Sequence, residues 1–374
     1  LGQVYPGQMD STFVPVRSHH YDPELTFDFC VNEPAWNNQA GIHSAFGSTD
    51  RLYFRKEVPV NHNNDLSSSY STTVWRGERA NAQILVWSSE ALEQVRVSTQ
   101  DLRSAEGNII PKDRITFELV RYVLSNYPYA EKKAICGESP YKSGFLMPDR
   151  FETLDRFDLP SQTTRPVWMM VDVPRGTAPG TYKGQVEVRA KGKAPQLLNL
   201  EIVVQKQLLP YPKDWKYRLD LWQNPWAVAW YNHVEPWSPE HKMLLKQHLK
   251  HYADAGGTYI TTYGVHSPWS DNSYMIEGGM IEWIKKADGT WAFDYKIFDE
   301  YVELAMECGI DEAITLYTPI PWGFRHRYKD EATGDYSYIN WAPSSEEFKK
   351  MWNIFLTDFK FHLEAKSWLD ITYI

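Results

Sequence analysis

Three segments in the second half of the chain end in the same kind of chemistry. LDLWQNPW sets Trp222 beside Asn224, TYITTYGVHSPW carries Tyr263 and His266, and AITLYTPIPW carries Tyr317 and Trp322. Each combines an aromatic face with side chains that donate or accept hydrogen bonds. A sugar needs both, because the C–H face of its ring packs on aromatic surface while its hydroxyls need polar partners. Trp222, Asn224, Tyr263, His266, Tyr317 and Trp322 are therefore the candidate substrate-binding residues. For any one of these tryptophans, packing at the strand ends is the more ordinary use; for the set, a sugar pocket is the more economical reading.

Hydrolysis of a glycosidic bond also needs a protonated acid for the leaving oxygen and a second group that stabilises positive charge at the anomeric carbon. No carboxylate stands at the three segment ends. Asp220 lies inside the first segment, two residues before Trp222. Asp370, in the terminal WLDITYI, falls at the start of a strand, about four residues or roughly 13 Å from its far end. It is rejected as catalytic, so no catalytic residue is assigned within this chain.

Other clusters have blander readings. His248 and His251 sit among lysines on an outer helix face, and His19 and His20 are neighbours that point to opposite sides of a strand. The loop NHNND from Asn61 lacks regular calcium-ligand spacing. Cys30, Cys136 and Cys308 have no metal-ligand spacing and cannot all pair. No metal site or cofactor is expected. G-x-S-x-G, P-loop and H-E-x-x-H motifs do not occur, which removes the best evidence for serine hydrolases, nucleotide enzymes and zincins.

The elements that must position the candidates follow from two kinds of patterning. Residues 1–206 read as alternating strands separated by Gly, Pro, Asn and Ser, an immunoglobulin-like antiparallel β-sandwich with an irregular insertion over 127–158. In its last part RPVWMMVDVP, GTYKGQVEVRA and QLLNLEIVVQ are expected to form a meander. Residues 207–216, with Pro210 and Pro212, read as a linker. From Tyr217 to Ile374 strands alternate with helices that open at Ser238, Asp294 and Ser344. That alternation predicts a parallel sheet, read here as the first half of a (β/α)8 TIM-type barrel ending after its fourth strand. A doubly wound sheet is the alternative.

Composition narrows the classes. The net charge of −9 and the lack of a basic stripe exclude a nucleic-acid partner. No apolar run reaches the ~18 residues of a membrane helix. The 16 Trp, 23 Tyr and 16 Phe are an unusual number; a large sandwich core and helix packing account for most of them, and flat aromatic faces also suit a glycan partner.

VWRGERANAQILVWSS with VRVSTQDLR, RPVWMMVDVPRGTAPGTYKGQVEVRA, and LDLWQNPWAVAWYNHVEPWSPEH together resemble glycoside hydrolase family 123, the β-N-acetylgalactosaminidase-like proteins common in gut Bacteroidetes. The resemblance runs over almost the whole chain. It implies a β-sandwich followed by a barrel, and hydrolysis assisted by the substrate's own 2-acetamido oxygen. An Asp would orient that group and an adjacent Glu would protonate the departing oxygen. In the family the pair follows a TYI-like strand, which places it beyond Ile374; the expectation is an inactive N-terminal portion whose partner is the remainder of its own barrel. The resemblance also implies an exported protein of a Gram-negative bacterium, periplasmic, outer-membrane-associated or extracellular, its leader removed. Two other readings stay open: a non-catalytic sugar-binding or scaffold protein, and a two-glutamate retaining glycosidase.

Overall fold

The computed structural model describes residue 24 and residues 33–60, 66–125, 145–265, 279–317 and 319–374. Two compact units meet in the chain between Leu209 and Pro210.

The first unit is built from β1 (His43–Gly47), β2 (Ser69–Arg76), β3 (Arg79–Ser88), β4 (Leu92–Thr99), β5 (Leu102–Arg103) and β6 (Ile109–Ile110). These are followed by β7 (Ile115–Ser125), β8 (Phe145–Thr153), β9 (Phe157–Leu159), β10 (Thr163–Asp172), β11 (Gly180–Arg189) and β12 (Gln196–Leu208). One sheet has the order β1-β3-β10-β7-β8; the other runs β2-β12-β11-β4-β9, with β5 attached to β11 and β6 to β5. Alternation along the strands explains the sandwich. Ala80, Ala82, Ile84 and Val86 of β3 and Val167, Met169 and Val171 of β10 enter one core with Tyr182, Val186 and Val188 of β11.

Three details depart from expectation. β10 pairs with β3 and β7 while β11 pairs with β12 and β4, so the β10–β11 turn crosses between sheets and only β11–β12 forms the expected hairpin. β2 runs parallel to β12. Part of the 127–158 stretch is regular, since β8 pairs antiparallel with β7 from Phe145 onward.

The second unit contains α1 (Pro225–Asn232), α2 (Pro239–Asp254), β13 (Tyr259–Tyr263), β14 (Glu282–Lys285), β15 (Trp291–Asp294) and α3 (Lys296–Glu307). It continues with β16 (Ala313–Tyr317), β17 (Arg325–Asp330), β18 (Tyr336–Asn340), α4 (Glu346–Lys366) and β19 (Thr372–Tyr373). The helices form where apolar residues recur at helical spacing behind a cap. Ser238 accepts the His241 amide ahead of α2, and Leu245, Leu249 and Tyr252 are its buried stripe. Ser345, one residue later than read from sequence, accepts the Phe348 amide and opens α4, which buries Met351, Trp352, Phe355, Phe359 and Leu363. Asp294 accepts the Lys296 amide at the start of α3.

β13, β16 and β19 form a parallel sheet in that order. The expected first barrel strand contributes only an isolated parallel bridge, Leu219 to Gly257. The segment after β13, read as a long loop, and the segment after β16, to which the patterning assigns no element, build a second sheet of order β15-β14-β17-β18. The half-barrel expectation is thus replaced by two distinct sheets and four helices among the described residues. The added sheet has the aromatic core of this unit at its back: Trp283 packs on Phe355 at 4.9 Å and on Phe293 at 5.1 Å, with Trp341 and Trp352 alongside.

Candidate functional site

At the carboxyl ends of a parallel sheet, loops diverge and leave a crevice where ligands bind. Here β13 and β16 end side by side with Tyr263 in register with Tyr317, and the Gly264 amide donates to the Tyr317 carbonyl at 2.9 Å. The Trp222 indole lies across the Tyr317 ring with centroids 4.4 Å apart and planes inclined by 44°. Trp222 is 52% exposed and Tyr317 is half-buried, so the pair presents aromatic surface to solvent.

Tyr263 has a different task. It is fully buried and its hydroxyl donates to the Gln223 carbonyl, bracing the segment that carries Trp222. Burial, then the charge of Asp220 and the neighbouring Tyr317, push its phenol well above the usual range, so it stays neutral. Asn224 accepts the Ala227 amide at 3.1 Å and caps α1, with Pro225 at the first helical position. Trp322 opens a single 3-10 turn with Phe324. His266 lies outside the described residues, as do His19, His20 and the loop 61–65.

Asp220 accepts the buried Thr261 hydroxyl at 2.9 Å. Asp370 sits in the turn before β19, whose Thr372 pairs with Ile314, at the end of the sheet opposite Tyr317. His248 is exposed on α2, and no group of metal-ligating side chains is found among the described residues. Cys308 is a free, buried thiol.

Two supporting features carried no sequence signal that was read. His241 is completely buried and joins α1 to the turn before α2. Its Nδ1 accepts the Trp237 amide at 2.8 Å, which leaves the proton on Nε2 to donate to the Pro225 carbonyl at 2.9 Å. Burial lowers its pKa, outweighing the Pro225 bond, and the neutral ring is the form that fits. The second feature is the contact of Gly279 with Gly264. The Ile281 amide donates to the Gly264 carbonyl at 3.3 Å and the Met280 amide to that of Tyr263, tying the start of β14 to the tip of β13. A Cβ on Gly279 would stand 2.6 Å from the Gly264 carbonyl oxygen, and one on Gly264 would stand 2.6 Å from Leu316 Cδ1. Backbone approach this close requires glycine.

Family models match both parts of the chain. The N-terminal domain of glycoside hydrolase 123 matches residues 46–190, and its catalytic domain matches residues 222–374. The chain belongs to glycoside hydrolase family 123. Among solved structures it is similar to a family 123 glycoside hydrolase from Clostridium perfringens, described for glycolipid glycan hydrolysis, with 27% identity and a TM-score of 0.80. That alignment covers 90% of this chain and 58% of the other. A PapD-like domain of human CEP192 matches far more loosely, at 12% identity over 50% of this chain and 99% of that one, with a TM-score of 0.24. No match is found among curated proteins. The catalytic-domain match runs over the three-stranded sheet, the added sheet and all four helices. Among the described residues this region holds two sheets and four helices, which corrects the reading of a barrel cut after its fourth strand.

Proposed function

We propose that this family 123 protein serves glycoside hydrolysis of glycans bearing a terminal β-linked N-acetylhexosamine, N-acetylgalactosamine by preference, with the Trp222–Tyr317 pair as the sugar platform. The observation that carries the reading is that pair. It is an open aromatic surface at the carboxyl ends of parallel strands, inside the region matched by the catalytic domain. The chemistry we favour is substrate-assisted: the 2-acetamido oxygen attacks the anomeric carbon, so the protein needs an acid and a group that orients the acetamide, but no nucleophile. None of the described carboxylates is given either role. Asp220 is engaged by Thr261, and Asp370 is at the opposite end of the sheet.

The test compares 4-nitrophenyl N-acetyl-β-galactosaminide with 4-nitrophenyl β-galactoside, following binding by tryptophan fluorescence and turnover by release of 4-nitrophenol. Selective binding or cleavage of the N-acetylated sugar supports the reading. Recognition of the plain galactoside alone overturns it.

A further inference from the structure

We infer that Tyr252, Tyr263 and His241 are the positioning residues of the Trp222 sugar platform, three buried rings that stand in for a missing strand ladder. This deepens the functional reading above and rests on it. YRLDLWQNP has strand patterning, yet among the described residues it pairs with the sheet only through the bridge from Leu219 to Gly257. Leu221 and Trp222 are each more than half exposed, so burial does little to fix the stretch between that bridge and α1. Its backbone is held by side chains instead.

The anchors fall at alternate residues. The Tyr252 hydroxyl, from α2, accepts the Leu221 amide at 3.2 Å and shares its one proton between the carbonyls of Leu219 at 2.7 Å and Tyr259 at 2.8 Å. The Tyr263 hydroxyl, from the tip of β13, donates to the Gln223 carbonyl. His241 Nε2 donates to the Pro225 carbonyl at 2.9 Å. Residues 219, 221, 223 and 225 therefore turn one edge of the chain to these rings, as alternate residues of a strand do toward its neighbour. Trp222 lies between two of the anchors, and its indole meets Tyr317. The rings are themselves fixed. All three residues are buried, and Tyr252 lies so close to Gly257 that a Cβ there would stand 2.2 Å from its Cε2. A platform held in this way before the ligand arrives binds without the entropic cost of ordering its segment.

The experiment labels the chain with 5-fluorotryptophan and follows the Trp222 fluorine resonance, assigned through Trp222→Phe, with and without methyl N-acetyl-β-galactosaminide. Tyr263→Phe keeps the ring and removes only the donor to Gln223. Its Trp222 line should broaden and move toward the position of free 5-fluorotryptophan. Its affinity for the sugar should fall about threefold to tenfold, since the platform is then in place for only a fraction of the time. Tyr252→Phe should do the same, and it gives the answer if Tyr263→Phe folds poorly. Tyr295→Phe is the control. It removes a buried phenol that donates to Asp358 at 2.7 Å where α3 meets α4, and should lower the melting temperature while leaving the Trp222 line and the sugar affinity unchanged. A Trp222 line equally sharp and in the same place in Tyr263→Phe and the unmodified chain overturns the positioning role, as does an equal disturbance from Tyr295→Phe. If the sugar leaves the Trp222 line of the unmodified chain unmoved, the functional reading fails instead.

Discussion

Nε2 of His241 lies 2.9 Å from the carbonyl oxygen of Pro225, the first residue of the helix that Asn224 caps. Through that bond, and through the Trp237 amide on its other nitrogen, one neutral imidazole fixes α1, the helix that directly follows Trp222 and Asn224. Protonation removes the acceptor for the Trp237 amide and places a charge in a fully buried site. Because the folded-state pKa is depressed, this contribution to stability is complete above the ordinary histidine value of about 6.5 and is lost as pH falls from there through the folded value. We expect the melting temperature of the 210–374 unit to fall between pH 7 and pH 5. His241→Phe should melt lower at pH 7 and show a flatter slope over that interval. Parallel slopes for the two proteins would remove His241 as the cause.

In the sandwich, Glu24 accepts both arms of the Arg165 guanidinium at 2.8 and 2.6 Å, with Arg121 at 3.5 Å and Arg55 at 3.8 Å. Both partners of the main pair are buried, their side chains 8% and 5% exposed. Burial alone would raise the Glu24 pKa, but the Arg165 hydrogen bonds and charge, the Tyr122 amide and the Arg55 charge together outweigh it and the net shift is downward. The stability is therefore present above the ordinary glutamate value and is lost as pH falls through the lowered folded one. Glu24→Gln leaves the arginines without their common counter-charge and should cost about 3–5 kcal/mol, as loss of one partner of a buried pair does. Urea unfolding of the 20–209 unit at pH 7 measures it. A loss under 1 kcal/mol would mean that water already compensates these charges.

Local rules made much of this architecture readable from sequence. The α2 and α4 stripes follow a helical period behind serine caps, and the sandwich strands alternate inward and outward. The added sheet escaped because its strands carry little apolar alternation. RHRYKD turns only His326 and Tyr328 toward the aromatic core, and its other side is charged. The β10–β11 connection misled for another reason. A short Pro- and Gly-rich turn looks the same whether it closes a hairpin or steps between sheets, and core packing decides which. At the candidate site, the aromatic residues near Trp222 and Tyr317 could be selected from sequence. That the Tyr263 hydroxyl is consumed by a backbone carbonyl could not, since the bond spans 40 residues. Nor could the fate of Trp283, Trp341 and Trp352, which build the core behind the added sheet.

The Gly264–Gly279 contact predicts a coupling between backbone fit and ligand binding. In Gly279→Ala the new methyl meets two carbonyl oxygens, at 2.6 and 2.8 Å, and neither belongs to a side chain that can rotate away. Relief requires β14 to move off the tip of β13, breaking the hydrogen bonds that the Met280 and Ile281 amides donate to the Tyr263 and Gly264 carbonyls. We expect a stability loss of about 1–3 kcal/mol, typical of overpacking, together with weaker binding of the N-acetylated sugar. Gly176, with nothing within 4 Å of a built Cβ, is the comparison site. Equal behaviour of Gly279→Ala and Gly176→Ala in thermal melts would show that the contact relaxes without consequence.

The sugar platform itself separates binding from folding. Trp222 is half exposed and its ring lies against that of Tyr317. Removing an exposed aromatic contact costs about 0.5–1.5 kcal/mol of pair energy at most, so Trp222→Ala should keep a melting temperature close to that of the unmodified chain. A ring stacked on the indole loses its main apolar partner, and affinity for 4-nitrophenyl N-acetyl-β-galactosaminide should fall about tenfold or more, the scale of a buried aromatic anchor at a binding site. Tyr317→Phe provides the contrast: it retains the ring beneath Trp222 and should bind within about twofold of the unmodified chain unless the phenol also meets the ligand. If Trp222→Ala binds the sugar as well as the parent protein does, the platform is elsewhere, and the crevice at the ends of β13 and β16 loses its role.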